Sequence, residues 1–214
     1  KYKNLKTAYT FMFGHPGKKL LFMGQEFAQL REWSEERSLD WYLLEEKEHK
    51  NVQEYVKRLL HLYTSHPAMT ELDEDWTGFE WINCEDGDRS TFSFIRKDKS
   101  LKRCLLFVMN FTPMLREKYQ VGLPTKSNCK VLLDSYKDNL GKESQVIKVL
   151  DRPCDNREYS IEFDLKPMQS LIMEFSAEKK ELPKKEVKKV DNKKQESKKL
   201  DQKKLESKKK DSAC

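Results

Sequence analysis

The chain has 214 residues, of which 36% are charged and 37% hydrophobic, with a formal net charge of +6. The basic excess is confined: residues 177–214 hold 15 Lys and 8 Asp or Glu, a net of +7, so residues 1–176 carry −1. A charge segregated in this way excludes a chain-wide nucleic-acid surface, and no run approaches the roughly 20 apolar residues of a membrane span.

In chain order, Leu5, Ala8, Tyr9 and Met12 fall at helical spacing and predict a helix over 1–13, ended by Gly14 and Pro16. Residues 19–24, "KLLFMG", form a continuous apolar run after a His-Pro-Gly turn. That pattern predicts a strand buried on both faces. The stretch from Glu26 to His49 is irregular and carries Trp33 and Trp41. Val52, Tyr55, Val56, Leu59, Leu60 and Tyr63 form one apolar stripe, predicting a helix over 50–64 that ends at His66-Pro67.

Beyond Pro67 the period changes to two. "GFEWIN", "TFSFIRK", "CLLFVMNF", "EKYQVG", "CKVLLDS", "QVIKVL", "EYSIEFDL" and "SLIMEF" are eight strand candidates separated by turn signals. This spacing predicts an antiparallel sandwich over 71–176, with "CLLFVMNF" central because it is the longest apolar run. From Ala177 onward a pentad beginning Lys-Lys repeats. Five residues advance a helix by about 500°, so no apolar stripe can form. The tail over 177–214 is therefore expected to be solvated, disordered or only transiently helical.

The five cysteines form no Cys-x-x-Cys pair and the four histidines show no metal-ligand spacing. A disulfide framework, a metal and a cofactor are all unexpected, and a reducing cytoplasm is the simpler compartment. No Gly-rich phosphate loop is present.

"HPGKKLLFMGQEF", Glu32-Trp33, "LDWYLL", "GFEWI", "NFTP", "YQVGLP" and "LKPMQSLIMEF" occur in one order over residues 1–176. In this register they resemble the bacterial 1,4-alpha-glucan branching enzymes of the alpha-amylase family, glycoside hydrolase family 13. The resemblance implies an α/β plus all-β organisation: the last strand and helix of a (β/α)8 barrel over 1–70, then the C-terminal β domain over 71–176. It also implies retaining transglycosylation, cutting an α-1,4 glucan and rejoining it through an α-1,6 bond. Retention needs two carboxyls about 5–5.5 Å apart. The family's three catalytic acids follow barrel strands four, five and seven, all upstream of strand eight. No catalytic residue is assigned here, and an upstream barrel segment is an expected partner. Residue 28 is Ala where the family usually reads Gly.

The C-terminal ends of barrel strands face the active site. If 19–24 is the eighth strand, Gln25 and Glu26 become candidates for lining the glucan cleft; the other reading of Glu26 is a residue bonding neighbouring loops. Trp33 and Trp41 offer flat apolar faces for a glucose ring, although core packing explains a Trp as readily. Two other readings remain. One is a stand-alone glucan- or polyanion-binding module with a basic tail; the other is a different member of the alpha-amylase family. For the first, acids interleave with the lysines and no aromatic follows Ala177, so base stacking is unavailable.

Overall fold

The computed structural model describes residues 1–137 and 145–178, and Lys1–Glu178 forms one compact unit. From residue 179 the Lys-rich tail lies outside the described residues, and so do the expectations placed on it.

The first helix, α1, spans Tyr2–Gly14; α2 spans Lys47–Ser65 and is followed directly by a one-turn helix, α3, Pro67–Thr70. His66 breaks the α2 ladder at φ −93°, ψ 126°, the extended geometry a residue before proline prefers. Its imidazole then caps α3, because Nδ1 accepts from the Ala68 N–H at 3.3 Å.

Among the described residues nine strands follow: β1 Phe79–Asn83, β2 Thr91–Arg96, β3 Cys104–Asn110, β4 Arg116–Leu123, β5 Cys129–Asp134, β6 Val146–Ile147, β7 Val149–Leu150, β8 Tyr159–Leu165 and β9 Ser170–Phe175. They pair antiparallel in two sheets, of order β1-β2-β3-β9-β5-β6 and β4-β8-β7. Seven of the sequence candidates each give one strand. The eighth, "QVIKVL", gives two, because the chain crosses at Lys148 from the larger sheet to the smaller.

The larger sheet is covered on both faces. Leu106, Val108, Val131 and Met173 meet Val121 and Ile161 of the smaller sheet in one core. The opposite face carries Phe94, Leu105, Phe107, Met109 and Ile172 against Phe13 of α1 and Val52, Tyr55 and Val56 of α2. This layering explains why all seven residues of β3 are buried and why its sequence shows no alternation. Gly14 sits where α1 meets this face; a Cβ there would lie 2.7 Å from the rings of Phe94 and Phe107. Thr10, Tyr55 and Ser170 join α1, α2 and β9 through buried hydroxyls 2.6, 2.8 and 3.1 Å apart.

Residues 19–24 do not form the predicted strand. They join no ladder among the described residues, and Leu20 is 79% exposed, with Phe22 and Met23 about half exposed. The apolar run is real, but among the described residues no strand pairs with it: Leu21 packs against the helix-side core while Leu20, Phe22 and Met23 stay exposed.

Candidate functional site

The segment after residue 23 is shaped by backbone first. Gly24 takes φ 84°, and a 3-10 turn over Gln25–Phe27 follows at once. It closes at Ala28, which adopts φ 60°, ψ 45°, a left-handed conformation that suits glycine far better than alanine. The sequence departure noted at residue 28 therefore falls on a position with a conformational reason for glycine.

Side chains lock this turn to the helices. The Tyr9 hydroxyl of α1 donates to the Gln25 carbonyl at 2.7 Å, and the Gln25 Oε1 accepts from the Phe22 N–H at 2.8 Å. Phe27 is fully buried, and its carbonyl lies 2.8 Å from Nδ1 of the buried His49. With Nδ1–H donating there, Nε2 accepts from the Tyr2 hydroxyl at 3.0 Å. Burial, reinforced by the negative charge of Glu26, pushes the Tyr9 phenol above its ordinary pKa.

The irregular stretch beyond is clipped at its base. Arg31 Nε pairs with Asp40 at 2.8 Å, the Arg31 guanidinium donates to the Ser38 carbonyl at 2.6 Å, and the Asp40 N–H donates to Gln29 Oε1 at 2.9 Å. A second 3-10 turn, Trp41–Glu45, follows.

The four sequence candidates occupy this one region in two groups. Gln25 is exposed and Glu26 half-buried in the first turn. Trp41 leans on Phe27 with ring centroids 5.1 Å apart, yet is 52% exposed, so it does not pack as a core residue. Trp33 stands apart from these, edge-on to Phe22 at 5.6 Å and 37% exposed. A cleft of about 460 Å³ opens between the start of α1 and this loop, lined by Tyr2, Leu5, Tyr9, Gln25, Gln29 and Leu30. Gln25 is the one sequence candidate in its wall.

Sequence reading missed Gln29, Leu30 and Tyr42. Leu30 and Tyr42 are 61% and 65% exposed, apolar side chains left open like Leu20, Phe22 and Met23. Their signal was apolar side chains inside an otherwise polar, aperiodic stretch. The region holds the amides of Gln25 and Gln29, both bonded within the loop, and the partly open rings of Trp33, Trp41 and Tyr42. Among the described residues no group of three or more His, Cys, Asp or Glu is placed to hold a metal, and no helix is long and apolar enough to cross a membrane.

The two-sheet domain is of a recognisable class. Residues 81–176 match the family described as "Alpha amylase, C-terminal all-beta domain". The fold is also that of a solved structure, AmyP in complex with maltose, with a TM-score of 0.56 at 14% identity over 81% of this chain and 34% of that one.

The closer kinship is in sequence. The chain is 48% identical over 183 residues to the 1,4-alpha-glucan branching enzyme GlgB of Butyrivibrio fibrisolvens, covering 84% of this chain and 29% of that protein. It is 39% identical over 178 residues to GlgB of Halothermothrix orenii, and 40% identical over 183 to that of Aquifex aeolicus, covering 28% of each. Residues 81–176 thus carry the alpha-amylase C-terminal all-beta domain, and most of the chain is similar in sequence to a part of the branching enzymes. The chain spans less than a third of the length of these relatives.

Proposed function

We propose that this chain is the C-terminal part of a 1,4-alpha-glucan branching enzyme that works with an upstream barrel segment. In this reading residues 1–70 complete the barrel, with 19–24 as its last strand, and residues 71–176 are the β domain behind it. Glucan chains of the glycogen or amylose type are the substrate, the reaction is retaining transglycosylation, and the compartment is the cytoplasm. The observation that carries the reading is the uncovered run of Leu20, Phe22 and Met23 directly before Gln25 and Glu26. An apolar segment without a ladder partner among the described residues is what a parallel strand leaves when its neighbour belongs to another segment.

Pairing there would aim the 25–42 loop at the barrel's active-site face. Gln25 and Glu26 would then bond glucan hydroxyls, and Trp33 and Trp41 would stack on glucose rings. The three catalytic acids would come from the upstream segment, so no catalytic role is assigned to this chain.

The test is co-expression with the upstream barrel segment of the Butyrivibrio fibrisolvens enzyme, assayed by the fall in iodine absorbance of amylose. The chain by itself should leave absorbance unchanged, and the reassembled pair should lower it. In that pair, Trp41→Ala should raise KM several-fold with little change in kcat. Branching by this chain alone would overturn the reading and turn attention to Glu26.

A further inference from the structure

His49 stands behind the turn that carries the 25–42 loop. It lies in the first turn of α2 and has no solvent exposure. A carbonyl only accepts, so Nδ1, the imidazole nitrogen 2.8 Å from the Phe27 carbonyl, carries a proton. Nε2 is left as the acceptor for the Tyr2 hydroxyl at 3.0 Å, and the Tyr2 ring meets the imidazole edge-on at 5.1 Å. The Glu46 carboxylate lies 3.7 Å from Nε2, beyond hydrogen-bond reach.

The bond to Phe27 falls on a strained step of the turn. The peptide joining Phe27 to Ala28 is held at both ends: His49 donates to its oxygen, and its N–H donates to the Gln25 carbonyl at 3.1 Å. Ala28 then takes φ 60°, a conformation that alanine keeps only where its surroundings over-determine it. No backbone N–H among the described residues reaches the Phe27 carbonyl, so without His49 it would be a buried acceptor lacking a partner. On its side-chain end, Phe27 is fully buried and backs Trp41, with ring centroids 5.1 Å apart and 35° between the planes. Trp41 is itself 52% exposed, so a fixed ring supports one that is open to solvent.

We propose that His49 is a positioning residue for Trp41. By holding the Phe27–Ala28 peptide from behind, it fixes the Phe27 ring and, through that ring, the plane in which Trp41 is presented. Its effect on glucan binding rests on the reading above; its effect on Trp41 does not. A histidine that only filled the core would be replaced equally well by either of two polar side chains of similar size. One that donates to Phe27 would not. The amide nitrogen of an asparagine stands where Nδ1 stood and can still donate to the Phe27 carbonyl. A glutamine amide reaches the Nε2 position, keeps the link to Tyr2 and leaves the turn unheld.

The experiment uses the full 214-residue chain, isotope-labelled for nitrogen NMR. His49 should carry its proton on Nδ1. The Trp41 indole N–H signal, identified by its loss in Trp41→Phe, should stay in place in His49→Asn and should move toward the position of free indole in His49→Gln. If His49→Gln does not fold, it is made on Ala28→Gly, which relieves the left-handed alanine, and is read against Ala28→Gly alone; the same displacement is expected. In the pair reassembled with the upstream barrel segment, His49→Gln should raise KM for amylose several-fold with little change in kcat, as Trp41→Ala does, and His49→Asn should restore it. A Trp41 signal unmoved by His49→Gln in a folded chain, or moved equally by both substitutions, would overturn the proposal. A pair that does not branch counts against the branching-enzyme reading instead, and the Trp41 signal still decides the role of His49.

Discussion

Arg96 has no solvent exposure, and its charge is met by one carboxylate, Asp73, at 2.7 Å. The same guanidinium donates to the Gly14 carbonyl at the end of α1, at 3.0 Å, and reaches the Met69 carbonyl of α3 at 3.5 Å. One side chain of β2 thus gathers three segments, and Asp73 neutralises it. Asp73→Asn keeps the shape and removes the charge. Removing one partner of a buried pair costs about 3–5 kcal/mol, because the other charge stays buried and uncompensated. Two carbonyls still contact Arg96, and the Asp73 side chain is 10% exposed, so the low end, about 3 kcal/mol, is expected. For a chain of this size that lowers the thermal midpoint by roughly 6–12 °C. Urea unfolding followed by tryptophan fluorescence gives the free energy. Arg96→Met alone should cost less, and adding it to Asp73→Asn should recover most of the loss, since the double variant buries no charge. A loss below about 1 kcal/mol for Asp73→Asn, or a double variant no better than Asp73→Asn, would refute the reasoning.

Ala28→Gly should stabilise the chain. A left-handed alanine costs about 1–2 kcal/mol and the extra freedom of an unfolded glycine returns about 0.4–1, so a net gain near 0.5–1 kcal/mol should appear as a rise of a few degrees in thermal midpoint. Acidification should destabilise. The Ala68 N–H points at His66 Nδ1 while Nε2 donates to Glu174 at 2.8 Å, so the fold specifies a neutral ring, and burial holds His66 below its ordinary 6.5. The unfolded chain therefore takes up the proton first; this contribution is full above pH 6.5 and falls as pH drops through the lowered value. Burial alone would raise Glu174, but hydrogen bonds from His66 and Arg103 outweigh it and hold this carboxyl below its usual range, which continues the loss at lower pH. Stability measured from pH 7.5 to 5 should decline, and His66→Gln should flatten the upper part of that slope.

Two apolar runs in this sequence look alike and meet different fates. "CLLFVMN" became β3 because β2 and β9 flank it and a layer covers each face. "LLFM" at 20–23 carries the same signal, joins no ladder among the described residues and leaves Leu20, Phe22 and Met23 exposed. Periodicity reports what a segment is able to bury, and the neighbours that bury it lie elsewhere in the chain or in another segment. Helices α1 and α2 and seven of the strands were legible for the same local reason, whereas α3 was not. The split of "QVIKVL" at Lys148 was not, because it depends on which sheet each half meets. At the site, Gln25, Glu26, Trp33 and Trp41 were reached through family resemblance. The contacts that shape the loop were not legible: Tyr9 to the Gln25 carbonyl, His49 to the Phe27 carbonyl and Arg31 to Asp40 each join polar groups at separations that no local period records.

The layering also bears on whether the β domain acts by itself. A self-sufficient sandwich presents polar residues on its outer faces. Here the outer face of the larger sheet holds Phe94, Leu105, Phe107, Met109 and Ile172, all at most 1% exposed, and they are covered by α1, α2 and α3. Residues 71–178 expressed without the helices would return these five side chains to water. Each is worth about 1.5–3 kcal/mol of burial, on the order of 10 kcal/mol together. The net stability of a whole domain is only about 5–15 kcal/mol. The piece should therefore be insoluble, or should bind a hydrophobic dye and lack cooperative unfolding, while residues 1–178 unfold in one transition. A soluble, cooperatively folding 71–178 fragment would show that the helical layer is dispensable and would restore the case for an independent glucan-binding module. The opposite result ties the 25–42 loop to the sandwich through a shared core, so a strain introduced at Gly14 or Arg96 would be felt at Gln25 through α1 and the Tyr9 hydroxyl.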